Sequence, residues 1–197
     1  SLRTETRESD SIDGPCKMQM KTIRSSTPVV RNALRIRNAA AITIKPSPTA
    51  DTRSADHEVT IDELRKSSEQ HIGDVRKGMD FVAALMRQAG ERHDFTKTKY
   101  LKEFFEDFKG AQETGVWTNG WFDKIHKVQE RHHLNDRVPE DVNLIDVIEH
   151  IVDCVMAGKG RAGEFKPDVL GSGILERAYQ NTQKLIADAV TVKQENA

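Results

Sequence analysis

The chain has 197 residues, enough for one ordinary domain with a tail or for two very small domains. Apolar residues make up 37% and charged residues 31%, and no apolar run approaches the roughly 18 residues of a membrane span, so we expect no membrane contact. The net charge of −1 argues against polyanion binding by the whole chain. Cys16 and Cys154 lie far apart and form no CxxC pair, which favours a reducing, cytoplasmic location over a disulfide scaffold.

The first 58 residues differ in composition from the rest. They contain no aromatic residue and are rich in Ser, Thr, Arg and Pro, so they cannot bury enough apolar surface to offset the entropy of ordering. We predict a largely flexible extension over residues 1–58, a folded domain over residues 59–192 and a short tail over residues 193–197. A short helix or strand within residues 29–44 stays open.

Part of this extension is basic. Residues 14–50 hold seven basic side chains, between positions 17 and 45, and no acidic one. Such a segment suits a nucleic-acid arm, a contact for an acidic partner or a targeting sequence. We favour a solvated linker over nucleic-acid binding, because the whole chain is neutral and the segment has no aromatic ring for base stacking.

From residue 59 the apolar spacing indicates helices. Thr60 and Glu63 form a candidate capping box for a first helix that ends near Gly90. Further helices are predicted over about 99–111 (Leu101, Phe104, Phe105 and Phe108 inward), from Asn119 towards His132, from Pro139 to Gly158, and over about 172–190. No stretch is convincing as a strand, so the prediction is an all-α bundle of about five helices.

Several polar residues interrupt these helices. His71 lies in the apolar stripe of the first helix, and His93 and Asp94 stand between two helices. The helix beginning near Pro139 is apolar on most faces but keeps one polar stripe, formed by Asp146, Glu149, His150 and Asp153. Whether that stripe is buried or solvated stays open at this point. Imidazole and carboxylate ligands suit Mn, Fe, Co, Ni or Zn better than calcium.

The ordered pattern H…HD…D resembles the HD-domain superfamily of metal-dependent phosphohydrolases. His71, His93, Asp94 and Asp153 carry the resemblance, and His93–Lys97 is similar to that family's HDxxK. Small uncharacterised HD-like proteins of bacteria and phages are the nearer likeness. Their HD-x-S-K turn, later Phe-Asp, paired His-His and Asp before Ala-Gly are similar to residues 93–97 (Thr96 replacing Ser), 122–123, 132–133 and 153–158.

The resemblance implies a role for each matching residue. His71, His93, Asp94 and Asp153 would hold one divalent transition metal, with room for a second. Asp146 is the alternative fourth ligand, and Asp153 is favoured because Ala157 and Gly158 follow it. Lys97 would stabilise phosphate charge or orient the nucleophile. The remaining implied residues are His132, His133 and Arg161 for substrate phosphate or a second metal, with Asp146 and Glu149 orienting the ligands. His126, taken alone, is interpreted as a packing or surface histidine.

The expected function is a metal-dependent phosphohydrolase that acts on a nucleotide or another small phosphate ester. The alternative is a non-catalytic helical protein, with a structural metal or none, that binds a partner or nucleic acid through the basic segment. A homo-oligomer stays open in either case.

Overall fold

The computed structural model describes residues 41–46, 55–117 and 120–193, which are mostly helical, as the all-α prediction requires. Most of the predicted extension, the basic segment up to Ala40, Asn119 and residues 194–197 lie outside this described part. The elements, in chain order, are β1 (Ile42–Ile44), α1 (Ile61–Arg92), α2 (Phe95–Lys99), α3 (Leu101–Thr114), a π-helical turn (Phe122–His126), α4 (Lys127–Gln129), α5 (Leu144–Ala162), α6 (Ile174–Ala189) and β2 (Val190–Val192).

Helix α1 begins at the capping box expected from the sequence. The Thr60 hydroxyl accepts the Glu63 amide hydrogen, and the Glu63 carboxylate accepts the Thr60 amide hydrogen. The helix continues two residues past Gly90, the predicted end, and stops at Arg92. Its 32 residues span about 48 Å.

The structure contains two short strands, and the first lies within residues 29–44, where the sequence leaves a short helix or strand open. Residues 42–44 pair in parallel with residues 190–192, so Ile42 lies opposite Val190. Ile42 is buried, and so part of the segment assigned to the flexible extension belongs to the folded domain. A three-residue strand is too short to give an alternating pattern in the sequence, and its pairing partner is almost 150 residues away.

Two apolar clusters form the core. One joins β1, α1 and α5 through Ile42, Phe81, Leu85, Ala89 and Ile145. The other packs the segment before α5 against α5 and α6 through Leu134, Val142, Val147, Ile174 and Ala178. Together they fix the end of α1, the segment of residues 130–142 and the first half of α5 relative to one another.

The boundaries of α5 differ from the prediction. The helix begins at Leu144 instead of near Pro139, because Asn143 and Asp146 form a capping box at that point. It continues through Gly158 to Ala162. A side chain at Gly158 would place its Cβ 2.9 Å from the Glu164 carbonyl oxygen, so this glycine allows the chain leaving the helix to pass close by.

The helix predicted from Asn119 to His132 is much shorter in the structure. A π-helical turn over Phe122–His126 is followed by a three-residue helix, and the backbone becomes extended at Glu130. Most of the apolar residues predicted to face inward on α3 are exposed, namely Leu101, Phe105 and Phe108. Asp107 is the buried residue of that helix, and its carboxylate accepts the Phe122 amide hydrogen at 2.9 Å.

Across the ranges given above, none of the helices combines the length and the apolar character needed to cross a membrane.

Candidate metal centre

The polar stripe of α5 faces the interior, which settles the orientation left open by the sequence. Asp146 and His150 are buried, and Glu149 and Asp153 are partly buried. Large apolar side chains of the same helix are instead exposed, namely Ile148, Ile151, Val152 and Met156. Buried carboxylates need hydrogen-bond partners, counter-ions or a metal, so this inward face of α5 is a candidate metal site.

His93 faces this stripe from the end of α1. Its Nδ1 donates to Glu149 Oε1 at 3.1 Å, which leaves Nε2 without a proton in the neutral ring. Nε2 lies 3.5 Å from Asp94 Oδ2 and 3.5 Å from Asp153 Oδ1. A nitrogen lone pair facing two carboxylate oxygens is repulsive unless a cation or a proton lies between them.

Asp94 adopts a backbone conformation that few side chains accept. Its φ of 58° and ψ of 24° place it in the left-handed region, where Asp and Asn are the tolerated residues apart from glycine. This conformation separates α1 from α2 and turns the Asp94 carboxylate towards the histidines. Strained backbone of this kind persists where surrounding contacts hold it, often at functional sites.

Three further histidines approach Asp94: His126 from the end of the π-helical turn, and His132 and His133 from the segment after α4. His126 Nε2 lies 3.4 Å and His132 Nε2 3.8 Å from Asp94 Oδ1. His133 Nε2 lies 2.8 Å from His126 Nε2. π-Helical turns are uncommon and are frequent at functional sites, and here the wider turn ends at His126.

A buried chain of hydrogen bonds orients His126. The Thr96 hydroxyl donates to Glu130 Oε1 at 2.7 Å, so it must accept the Nδ1 hydrogen of His126, also at 2.7 Å. The Thr96 amide hydrogen is donated to the same Glu130 oxygen at 2.8 Å. The proton of His126 is thereby fixed on Nδ1, which leaves a lone pair on Nε2, the atom that lies 2.8 Å from His133 Nε2 and 3.4 Å from Asp94 Oδ1. Metal-binding histidines are typically oriented in this way.

Several buried polar atoms at the centre of this cluster have no hydrogen bond. They include Asp94 Oδ1 and both ring nitrogens of His132, a residue with 1% exposure. His132 Nδ1 is 3.1 Å from Glu149 Oε1, but the approach is too oblique for a hydrogen bond. Leaving such atoms unpaired costs about 1–3 kcal/mol each, so their convergence indicates a ligand that binds to them.

The protonation of the cluster suits a cation. Burial and the neighbouring His133 lower the pKa of His126 to about 3, and burial and His132 lower the pKa of His133 to about 4. Burial acts to raise the pKa of Asp94, but the Lys97 ammonium outweighs it and holds that pKa below its usual value. At neutral pH these groups therefore offer two neutral imidazoles and a carboxylate, the protonation states that bind metals.

The ligand atoms fall into two overlapping groups, one of Asp94, His126, His132 and His133 and the other of His93, His132 and Asp153. Within each group the atoms all lie within 4.8 Å of one another. Nitrogen and oxygen ligands on bonds of about 2.1 Å lie about 3.4 Å apart in a tetrahedral site. The separations from 2.8 to 3.8 Å given above bracket that value, so these residues fit a metal ion with small side-chain adjustments.

His71 does not join this cluster, which corrects the expected ligand set. It is exposed on α1 and precedes His93 by 22 residues of nearly continuous helix. At 1.5 Å per residue, about 33 Å of helix axis separates the two positions. His71 and His93 therefore cannot share an ion within one chain, and the first histidine of the H…HD…D pattern is absent from the centre.

Asp146 does not contact the histidines directly. Its two oxygens accept hydrogens from Arg131 Nε and Nη2, both at 2.7 Å, and one also accepts the Asn143 amide hydrogen at 2.9 Å. The expectation that it orients a ligand is corrected accordingly: it holds Arg131, the residue before His132. Glu149, by contrast, does contact a ligand candidate, His93.

The two predicted phosphate-binding side chains lie in different places. The Lys97 ammonium is paired with Asp94 Oδ2, beside the cluster. Arg161 is exposed near the end of α5, about 12 Å along the axis beyond Asp153. The structure thus brings Lys97 to the centre, and it shows no contact between Arg161 and the ligand group among the described residues.

Sequence reasoning missed His126 and its two orienting partners, Thr96 and Glu130. A signal was present in the seven-residue spacing from His126 to His133, which places both on one face of an α-helix. The structure uses that spacing differently, because the helix ends at Gln129 and the chain folds back to bring the two rings together.

The chain matches no protein-family model, no curated protein and no solved structure in the comparisons with known proteins.

Proposed function

We propose that this centre binds a divalent transition metal and that the chain is a metal-dependent phosphohydrolase of the HD type, acting on a nucleotide or another small phosphate ester. The unpaired buried atoms of Asp94 and His132 carry the proposal. They share one small volume with imidazole nitrogens whose protons are fixed on the far side of the ring, as in His126. Nitrogen and carboxylate ligands favour Mn, Fe, Co, Ni or Zn.

The other residues that carry the resemblance also support a metal-dependent phosphohydrolase. His93, Asp94 and Asp153 lie close together, which the resemblance implies, and Lys97 lies beside Asp94. In place of His71, the neighbouring His126, His132 and His133 supply imidazoles. With both overlapping groups in use, the set has enough ligands for one ion or for two.

In this proposal the bound metal, the residues that orient its ligands and Lys97 have separate roles. A bound cation would supply a Lewis acid for a phosphoryl oxygen and would lower the pKa of a nucleophilic water, together worth several kcal/mol of barrier. Glu149 and Thr96 keep His93 and His126 in the tautomers that present Nε2. Lys97 is placed to donate to a phosphate oxygen of the substrate, which would compete with its ion pair to Asp94.

The test is metal content and phosphate release on the full chain. Protein freed of metal by a chelator is reloaded with Mn, Co, Ni or Zn and assayed with nucleoside phosphates and with p-nitrophenyl phosphate. Asp94→Asn is the diagnostic variant, because Asn tolerates the left-handed backbone and so preserves the fold. We expect it to lower turnover about a hundredfold or more, since loss of about 3 kcal/mol of stabilisation has that effect.

Asp188→Asn is the matched control, because Asp188 is an exposed carboxylate on α6 that pairs with Lys184. This variant should keep both metal and turnover. Failure of the wild-type chain to bind any of the four metals would overturn the proposed centre. Metal binding without release of phosphate from any substrate would instead favour the non-catalytic alternative.

A further inference from the structure

A second group of potential ligands lies next to the backbone of His132, whose carbonyl oxygen contacts His150. His150, Cys154 and Asp168 each offer one atom, and all three atoms lie within 4.8 Å of one another. His150 and Cys154 are one turn apart on α5, and Asp168 belongs to the segment between α5 and α6. The proposed phosphohydrolase centre uses none of the three.

The tautomer of His150 follows from its contacts. Nδ1 lies 2.8 Å from the backbone carbonyl oxygen of His132, which can only accept, so Nδ1 carries a hydrogen. Nε2 lies 3.0 Å from Asp168 Oδ2, also an acceptor. In the neutral ring, a lone pair would then face a carboxylate oxygen. The space between His150 Nε2 and Asp168 Oδ2 therefore requires a positive charge, which is either a second ring proton or a metal ion.

The position of Cys154 favours the metal ion. Its Sγ lies 3.7 Å from His150 Nε2, a hydrogen-bond contact that contributes little because a thiol is a weak donor and a weak acceptor. For a tetrahedral ion with bonds of about 2.0 Å to nitrogen and 2.3 Å to sulfur, the two ligand atoms lie about 3.5 Å apart. The expected nitrogen-to-oxygen separation is about 3.4 Å, a few tenths of an ångström more than the distance between His150 Nε2 and Asp168 Oδ2, and the Asp168 oxygen lies within 4.8 Å of Cys154 Sγ.

The surroundings of Asp168 keep its carboxylate in place. Oδ2 accepts a hydrogen from Asn135 Nδ2 at 2.6 Å, and Oδ1 accepts the Val169 amide hydrogen at 2.7 Å. Both oxygens retain free lone pairs, since each can accept more than one contact. Residues that orient a ligand carboxylate in this way are common around metal ions.

We propose that His150 Nε2, Cys154 Sγ and an Asp168 oxygen form a second metal site, selective for zinc-like ions and distinct from the proposed hydrolytic centre. A thiolate ligand favours Zn or Co over Mn or Mg. On binding, the Cys154 thiol loses its proton to solvent as the metal–sulfur bond forms, and a second ring proton on His150, where present, also leaves. Three protein ligands leave one position for water.

Such a site would join α5 to two neighbouring segments, the one that carries Asp168 and the one that carries His132. The ion would tie the segment carrying Asp168 to α5, and His150 already holds the His132 carbonyl through Nδ1. An ion here therefore stiffens the backbone that presents His132 and His133 without contacting the substrate.

Cobalt spectroscopy tests the site. Chelator-treated full-length protein is titrated with Co²⁺, and the near-ultraviolet thiolate-to-cobalt charge-transfer band is followed. We expect the band to appear in the wild type, to be lost in Cys154→Ser and to be retained in Cys16→Ser. Asp168→Asn should weaken Co²⁺ binding at this site roughly tenfold or more. Absence of the band in the wild type, or its persistence in Cys154→Ser, would overturn the proposal.

Two controls keep this result separate from the hydrolase proposal. Asp94→Asn removes a ligand of the hydrolytic centre and should retain the charge-transfer band. As a second measurement that needs no variant, Zn²⁺ should slow alkylation of Cys154 by iodoacetamide at least several-fold, with Cys16 in the same chain as the internal reference. Equal alkylation rates of Cys154 with and without Zn²⁺ would contradict the proposed site and would mean that a proton alone lies between His150 Nε2 and Asp168 Oδ2.

Discussion

The Nε2 atoms of His126 and His133 lie 2.8 Å apart, so in the metal-free protein one of them must donate to the other. Since Thr96 fixes the proton of His126 on Nδ1, His133 is the donor and His126 the acceptor. An ion bound to both nitrogens would displace the proton of His133 from Nε2. The ring would then carry its proton on Nδ1, which lies 3.8 Å from Asp136.

The contrast between His71 and His93 tests the corrected ligand set. His93→Ala should weaken metal binding about tenfold or more, because it removes an imidazole from the centre. His71→Ala should leave metal content and folding unchanged, because His71 is exposed and far from the centre. Metal bound per chain after dialysis measures both variants. Equal losses of metal in His71→Ala and His93→Ala would support the ligand set predicted from the HD pattern and would contradict the centre described above.

Thr96→Val should both destabilise the protein and weaken metal binding. The substitution keeps the shape of the side chain but removes the hydroxyl that links His126 and Glu130, leaving buried polar atoms unpaired at a cost of about 1–3 kcal/mol. Metal affinity should also fall about 10- to 100-fold. Urea denaturation and metal titration measure the two effects.

Thr98→Val is the matched control for that variant. Thr98 is exposed on the same short helix and its hydroxyl bonds only to the Phe95 carbonyl oxygen among its described contacts. Its effect on stability should stay within about 0.5 kcal/mol. Similar losses in the two variants would show that the buried hydrogen-bond chain has no special role.

The metal-free protein should lose stability as the pH falls from 7 to 5. His126 and His133 have pKa values of about 3 and about 4 in the folded state, against about 6.5 in the unfolded state, so the unfolded chain binds more protons in this interval. Each contributes about 2 kcal/mol of loss by pH 5.

His132 acts in the opposite direction. Burial lowers its pKa, but Glu149 outweighs that effect and raises it, so the stability it contributes is present below the unfolded pKa and lost as the pH rises. We therefore expect a net loss of stability between pH 7 and pH 5 that is smaller than the sum of the two losses from His126 and His133, measured by urea denaturation. His133→Gln should flatten the profile. Stability that is constant or higher at pH 5 would contradict these protonation states.

Asp146 should matter for folding more than for metal binding. Asp146→Asn leaves the largely buried Arg131 guanidinium without its two-oxygen partner, so we expect a loss of about 3–5 kcal/mol in the free energy of unfolding. Asp141→Asn removes the exposed partner of the same arginine and should cost at most about 1 kcal/mol.

Metal content per folded molecule distinguishes the two interpretations of Asp146. It should be unchanged in Asp146→Asn at low temperature, where the chain remains folded. A selective loss of metal in a folded Asp146→Asn protein would support the earlier expectation that this carboxylate orients a ligand.

Local sequence determined much of the fold and part of the centre. The capping box at Thr60, the helical spacing and the His93-Asp94 pair between helices are contacts within a few residues, and each was predictable from spacing and side-chain type. The polar stripe of α5 was also predicted from the sequence. Whether that stripe faces the interior or the solvent was not predictable, because an amphipathic pattern gives the two faces of a helix without saying which one is covered by the rest of the chain.

Tertiary structure decided which residues meet. His71 satisfies the order of a familiar pattern, yet a continuous helix holds it about 33 Å from His93 along its axis. His126 looked ordinary in the sequence and lies in the centre, because the chain folds back after Gln129 and Thr96 holds its ring. Composition and periodicity report short-range geometry, whereas a site built from the end of α1, the π-helical turn, the segment between α4 and α5, and α5 itself depends on how distant segments pack.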